Sequence, residues 1–205
     1  MGWSSRLRVR LSPGGAEILR LYDTLEGMLN VREAAWLFQA GRTAREIVEI
    51  GSYRGKSLCL MGRGAIAAGH ATTTRITAID PHIVGKDNPR FDFHAKDRDT
   101  LLAQARGCGV DGMLREMVMT SRDAIAHWDG RPIDLLWVDG DHSYEAAKFD
   151  LEAWGKFVRK GGTIAAHDYT KRFPGVIRAW DEAITASAGW GPTRRVRSLV
   201  WSIRL

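Results

Sequence analysis

The chain predicts an α/β fold, a mostly parallel sheet with helices on both faces. Short apolar runs alternate with stretches of helical periodicity along the whole length. Each run ends in polar residues: Gly51-Ser52, Asp80, Thr120-Ser121, Asp139 and His167-Asp168. The run IVEIGSYRGKS, from Ile47 to Ser57, reads as a strand, a glycine turn and a helix start. In such sheets ligands bind beyond the carboxyl ends of the strands, so these polar residues are expected around one crevice.

The elements follow in order. Met1 to Pro13 carries little pattern, and Arg6, Arg8 and Arg10 alternate as on a strand edge. Ala16 to Leu25 has helical spacing through Ile18, Leu21, Tyr22 and Leu25. Asn30 can cap a second helix with Glu33 as its capping-box partner. After the strand from Ile47, a helix from Lys56 carries Leu58, Leu60, Met61, Ala65 and Ile66. RITAID, Arg75 to Asp80, is a strand stopped by Pro81; Pro81 to His94 reads as a loop and Ala95 to Arg106 as a helix. Met113 to Thr120 is a third strand, followed by a short helix at Ser121-Arg122-Asp123. IDLLWVD, Ile133 to Asp139, is the strongest buried strand. Ser143 caps a helix with Ala147, Leu151, Trp154 and Val158 on one face, and Gly161-Gly162 end it. Thr163 to Ala166 is the next strand and Val176 to Ala186 a helix. Arg195 to Leu205 reads as half of a hairpin turning near Gly191-Pro192.

At 205 residues the simplest reading is one domain, 1–205, with residues 1–45 as a helical cap region. The composition, 44% hydrophobic and 26% charged, is that of an ordinary globular protein. A net charge of +6 without a Lys/Arg block indicates a solvated basic surface, with no nucleic-acid partner expected. Cys59 and Cys108 are not paired by any sequence pattern. No apolar stretch reaches spanning length, so a soluble cytoplasmic protein is expected.

Three ligand classes use a strand–glycine–helix turn. A dinucleotide fold requires a glycine two residues after Gly51, where Tyr53 stands. A P-loop requires one more residue than lies between Gly51 and Gly55-Lys56-Ser57. The relaxed S-adenosylmethionine (SAM) turn, an acid followed by spaced glycines, accommodates Glu49, Gly51 and Gly55. Asp80 ends the following strand, where an acid can accept both hydroxyls of a ribose. Asp139, His142, His167 and Asp168 add titratable groups to the same crevice.

The segments DGDHSYE from Asp139 and HDY from His167, with the glycine turn, ITAIDP from Ile76 and the closing SLVWSIRL, resemble class I SAM-dependent methyltransferases. The likeness is to the small-molecule O-methyltransferase group that includes macrocin-type and cephalosporin-hydroxylase-like proteins, and it runs from about Gly27 to Leu205. It implies a Rossmann-like, seven-stranded, mostly parallel sheet whose last strand is antiparallel. It also implies SAM as cofactor, held at its methionine end by Glu49, Gly51, Tyr53, Gly55 and Ser57. Asp80 would bind the ribose and Ser121 and Asp123 would sit near the adenine, with Ser52, Pro81, His82 and Asp139 completing the lining. A divalent metal, Mg²⁺, Mn²⁺ or another, would fall on Asp139, His167 and Asp168. His167 departs from the acidic pattern of metal-dependent relatives, because Mg²⁺ prefers hard oxygen donors. His142 would be the general base.

The expected function is O-methylation of a small hydroxylated metabolite, with no membrane partner and with a homo-oligomer allowed. The alternatives are a P-loop-like NTPase, a non-haem iron oxygenase using His142, His167 and one Asp, and a non-catalytic SAM-binding module.

Overall fold

The computed structural model describes residues 2–82 and 96–205. Three helices open the chain: α1 (Gly2–Arg10), α2 (Gly15–Thr24) and α3 (Val31–Gly41). The sheet then begins with β1 (Glu46–Ile50), α4 (Lys56–Ala67) and β2 (Arg75–Ile79). It continues with α5 (Lys96–Cys108), β3 (Leu114–Met117), α6 (Ser121–Ala124) and β4 (Ile133–Val138). The last elements are α7 (Tyr144–Phe149), β5 (Val158–Ala166), α8 (Pro174–Trp180), β6 (Arg194–Val196) and β7 (Leu199–Ile203). Single π-turns over Asp150–Trp154 and Asp181–Thr185 extend α7 and α8.

The strands form one seven-stranded sheet in the order β3-β2-β1-β4-β5-β7-β6. The first five run parallel, and β7 lies antiparallel between β5 and β6. The expected sheet, with its antiparallel last strand, is therefore the observed one. The parallel strands all end at one edge, and the order reverses between β1 and β4. Their side chains alternate between two core layers. Ile47, Leu135, Trp137 and Ala165 face the layer built with α3 and α4. Val48, Leu136, Val138 and Ala166 face the layer built with α7 and α8. The parity decides which polar residues meet at the strand ends. Val138 pairs with Ala166, so one further step sets Asp139 beside His167, both aimed at the α3 side.

Several elements differ from the sequence reading. Arg6, Arg8 and Arg10 lie on helix α1, not on a strand edge. The alternation of arginines mimics a strand, but docking onto α2 decides: Val9 is buried and Arg6 pairs with Asp23 through both nitrogens at 2.9 and 2.6 Å. The hairpin turns at Arg197-Ser198 between β6 and β7, with Arg197 at φ +59°, and not near Gly191-Pro192. Gly161-Gly162 do not end the α7 unit; they lie inside β5, where the pairing with β4 slips between Ile133 and Leu135. Val158 opens that strand and does not sit on the helix. The loop expected over Pro81 to His94 and the start of α5 at Ala95 fall mostly on residues 83–95, outside the described residues.

Asn30 caps α3 as expected. Its side chain accepts from Arg32 N–H, and Glu33 Oε2 accepts from its backbone N–H at 2.7 Å. Both cysteines are free and buried. Among the described residues no helix is long and apolar enough to cross a membrane.

Candidate active site

The turn after β1 is shaped by what it must pass. Gly51 has φ +85°, and a Cβ there would stand 2.2 Å from the Asp139 carbonyl oxygen. Only glycine lets β1 and β4 approach this closely at the switch point. Tyr53, His82 and Asp168 also have positive φ, at 46°, 46° and 56°. They follow β1, β2 and β5, so backbone strain collects at the edge where the five parallel strands end.

Two cavities open at that edge and share Gly51, Tyr53 and Asp139. The first, about 380 Å³, reaches Ser52, Gly55 and Ser57 on the turn and His142, His167 and Asp168 beyond β4 and β5. Its far wall is Met28, Leu29, Thr170, Arg172 and Phe173. The second, about 570 Å³, is lined by Asp80, Pro81, Ser121 and Asp123 together with Ile79, Phe149 and Asp150.

Asp80 is positioned by backbone. Its Oδ2 accepts from Tyr53 N–H and its Oδ1 from His82 N–H, each at 2.8 Å. His82 thus serves the site through its backbone and lines neither cavity. Glu49 also lines neither. It is fully buried under α4, where Ser57 Oγ donates to Oε1 and Oε2 has no hydrogen-bond partner. Burial pushes its carboxyl up to about 7, against the opposing pull of the Ser57 and Ser52 hydroxyls.

His167 is 8% exposed and held on both ring nitrogens. Nε2 lies 3.2 Å from Glu33 Oε2, and Nδ1 lies 3.3 Å from Asp139 Oδ1. Burial alone would favour the neutral ring, but Asp139, Glu33 and Asp168 outweigh it and raise His167 to about 11. The Glu33 carboxyl is held down at about 2. Burial would raise it, but His167 and the Ser198 hydroxyl, which donates at 2.6 Å, prevail.

His142 stands across the cavity. Its Nε2 is 2.9 Å from Asp168 Oδ2, at an angle that makes no hydrogen bond, and its ring stacks on Phe173 with centroids 4.3 Å apart. Burial lowers its basicity, yet Asp168, Asp139 and Asp141 raise it further.

In the metal set implied by the resemblance, Asp139, His167 and Asp168, the His167 Nδ1 lies 3.3 Å from Asp139 Oδ1 and 3.7 Å from Asp168 Oδ1. Protonated on both nitrogens, the ring offers no lone pair to a metal; a deprotonated Nδ1 would face Asp139 and Asp168, with Glu33 on the far nitrogen. The groups whose ligand atoms lie within 4.8 Å of one another are Asp139, His142 and Asp168.

Sequence reasoning missed Asp150, which is buried in the second cavity and accepts from Ser121 Oγ at 2.5 Å. Burial raises its carboxyl to about 6. The available signal was its place among Ala147, Leu151 and Trp154, an acid on an apolar helix face. Thr170, Arg172 and Phe173 had no signal, because only the turn after β5 carries them into the crevice.

An open parallel sheet with its glycine turn and strand-end acids at the switch point is the architecture of a nucleotide-type cofactor enzyme. Residues 48–169 match the family described as a methyltransferase domain, and the chain belongs to that family. An uncharacterized protein of Acanthamoeba polyphaga mimivirus is 28% identical over 126 residues, 60% of this chain; the chain spans 50% of that protein. An O-methyltransferase from Bacillus cereus, solved with SAH, superposes with a TM-score of 0.66 at 14% identity, over 98% of this chain and 91% of that one. TomG, an O-methyltransferase from Streptomyces achromogenes solved with SAM, gives 0.63 at 15% identity, over 98% and 89%. At such identities the likeness is one of fold.

Proposed function

We propose that the chain is a SAM-dependent O-methyltransferase acting on a small hydroxylated molecule. The observation that carries this reading is the pair of cavities joined at Gly51, Tyr53 and Asp139. The second cavity, with the backbone-held Asp80, suits the adenosine. The first suits the methionine and the acceptor. Two structural neighbours solved with SAH and with SAM support a cofactor of that class.

The reaction moves a methyl group from the sulfonium sulfur to an acceptor oxygen. The S–C bond breaks, the O–C bond forms, and the hydroxyl proton must leave. The leaving sulfide is neutral, so the protein mainly aligns the atoms and takes the proton. We assign that step to His142. It lines the first cavity, and Phe173 fixes its ring plane. Met28 and Leu29 give the same cavity an apolar wall.

The cluster of Asp139, His142 and Asp168 supports a second reading, in which a divalent cation lowers the acceptor's pKa. One imidazole with two carboxylates suits Mn, Fe or Zn better than Mg²⁺. That reading uses His142 as a ligand, so it excludes His142 as the base. Two other readings lose support. Lys56 donates to the Tyr22 carbonyl at 2.8 Å and is not free to serve as a P-loop lysine. An oxygenase set would need His142 and His167 on one ion, whereas the ligand atoms that converge are those of Asp139, His142 and Asp168.

Calorimetry with SAM, SAH and ATP tests the proposal. SAM and SAH should bind, and Asp80→Ala should weaken them by about 1.5–3 kcal/mol, the worth of hydrogen bonds to a charged acceptor. Binding of ATP without SAM would overturn it.

A further inference from the structure

We infer that the acceptor carries an anionic group, a carboxylate or a phosphate, recognised by Arg172. The inference rests on the methyl-transfer reading and names the class of substrate within it.

The first cavity is lined by two carboxylates, Asp139 and Asp168, and by the cations Arg54, Lys56 and Arg172. Its two carboxylates each stand against an imidazole: Asp139 Oδ1 lies 3.3 Å from His167 Nδ1 and Asp168 Oδ2 lies 2.9 Å from His142 Nε2. Of its cations, Arg54 is answered by Asp97 at 2.8 Å and Glu26 at 2.6 Å. Lys56 and Arg172 are not. Among the described residues neither has a carboxylate within ion-pair distance. Lys56 is 7% exposed and turned to backbone carbonyls, so it contributes positive field from the wall. SAM brings one carboxylate to this cavity. Arg172 remains, an exposed guanidinium whose fork of donors matches a carboxylate or a phosphate.

Its placement fits a role toward the acceptor and not toward SAM. Arg172 stands on the wall opposite the glycine turn, on a segment shaped by the Thr170 N–H to Asp168 and Phe173 N–H to Thr170 turn bonds at 2.7 and 2.9 Å. The Arg172 guanidinium lies 5.5 Å from the Phe173 ring centroid, and that ring stacks on His142 at 4.3 Å. The cation and the proposed base thus both lie against the Phe173 ring. An acceptor with its hydroxyl at His142 and its anionic group about one ring away would meet both, with its apolar body against Met28 and Leu29.

The test uses matched probes on the full chain saturated with SAH. The pairs are 3,4-dihydroxybenzoate against 3,4-dihydroxybenzamide, and glucose 6-phosphate against glucose. The charged member of at least one pair should bind about tenfold tighter or more in the wild type, as one charge-assisted contact provides. Arg172→Gln should erase that preference and Arg172→Lys should restore part of it. Neutral probes binding as well as charged ones in the wild type, no binding by any probe, or a preference surviving Arg172→Gln would each overturn the inference. Failure of SAH itself to bind would remove the methyl-transfer reading and this inference with it.

Discussion

Glu33 and His167 lie 134 residues apart in the chain and meet at 3.2 Å in the interior. Glu33 comes from the first turn of α3 and His167 from the end of β5, so the contact ties the helical cap to the cofactor edge of the sheet. The same carboxylate also accepts from Ser198 N–H and Oγ at 2.8 and 2.6 Å, which adds the β6–β7 turn. Glu33 and Ser198 both fall outside the stretch matched to the family, residues 48–169.

Removing one member of this pair should be costly. Glu33→Ala leaves a buried imidazolium facing a cavity and loses the α3 cap, and a loss of about 3–5 kcal/mol is expected. The pair also sets a pH window for stability. Glu33 falls from its ordinary 4.5 to about 2, so its contribution is present above 4.5 and is lost as the pH drops toward 2. His167 rises from 6.5 to about 11, so its contribution is complete below 6.5 and is lost as the pH climbs toward 11. Urea unfolding across pH should give a maximum between about 4.5 and 6.5 from this pair. In Glu33→Ala the acid limb should flatten; an unchanged profile would contradict the assignment.

Two glycines with similar backbone should respond very differently to alanine. Gly51 at φ +85° has the Asp139 carbonyl oxygen 2.2 Å from its added Cβ, whereas Gly69 at φ +79° has open space there. Both substitutions carry a conformational penalty of about 1–3 kcal/mol. Only Gly51→Ala must also push β1 and β4 apart at the cofactor edge. SAH affinity measured by calorimetry should fall at least tenfold in Gly51→Ala and stay at the wild-type value in Gly69→Ala.

His142→Ala separates a base from a packing residue. Loss of a general base lowers turnover by roughly 10²–10⁴ with SAH affinity near wild type. Loss of packing against Phe173 would lower stability and leave turnover at saturation largely intact. Because Asp168, Asp139 and Asp141 favour the protonated ring, turnover should keep rising with pH above the ordinary histidine value of 6.5. Asp168→Asn should move that rise to lower pH. A helix start and a bound cation would have favoured the neutral ring, but three nearby carboxylates reverse the direction.

Addition of excess chelator distinguishes the two roles open to His142. Turnover unchanged in EDTA, with no metal found by elemental analysis, is the expected result for His142 as base. Complete loss, restored by Mn²⁺, would assign Asp139, His142 and Asp168 to a cation.

What could be read from the sequence was local. Apart from Asp134 near its start, the run IDLLWV of β4 is apolar because both its faces are buried, so its burial is written in composition. The glycine turn, the acid at Asp80 and the Asn30–Glu33 capping box each depend on residues a few positions apart, and each occurs where it was expected. That the sheet is mostly parallel followed from alternation of elements, because parallel strands need crossovers; the order β3-β2-β1-β4-β5-β7-β6 is seen only in the structure.

Other features depended on groups far apart in the chain. Helix α1 gains its place by docking on α2, which its own arginine alternation does not announce. The turn at Arg197 uses a left-handed non-glycine residue, which no turn signature marks. Lys56 looks like a P-loop lysine until the α2–α3 connection presents carbonyls to it. His167 reads as one more strand-end histidine until Glu33, Asp139 and Asp168 gather round it. The sequence by itself determined which residues reach the carboxyl edge, because strand period and turn chemistry are short-range. Only the tertiary structure decided their charge states and partners, because a buried charge takes its energy from whichever group packs against it, however distant in the chain.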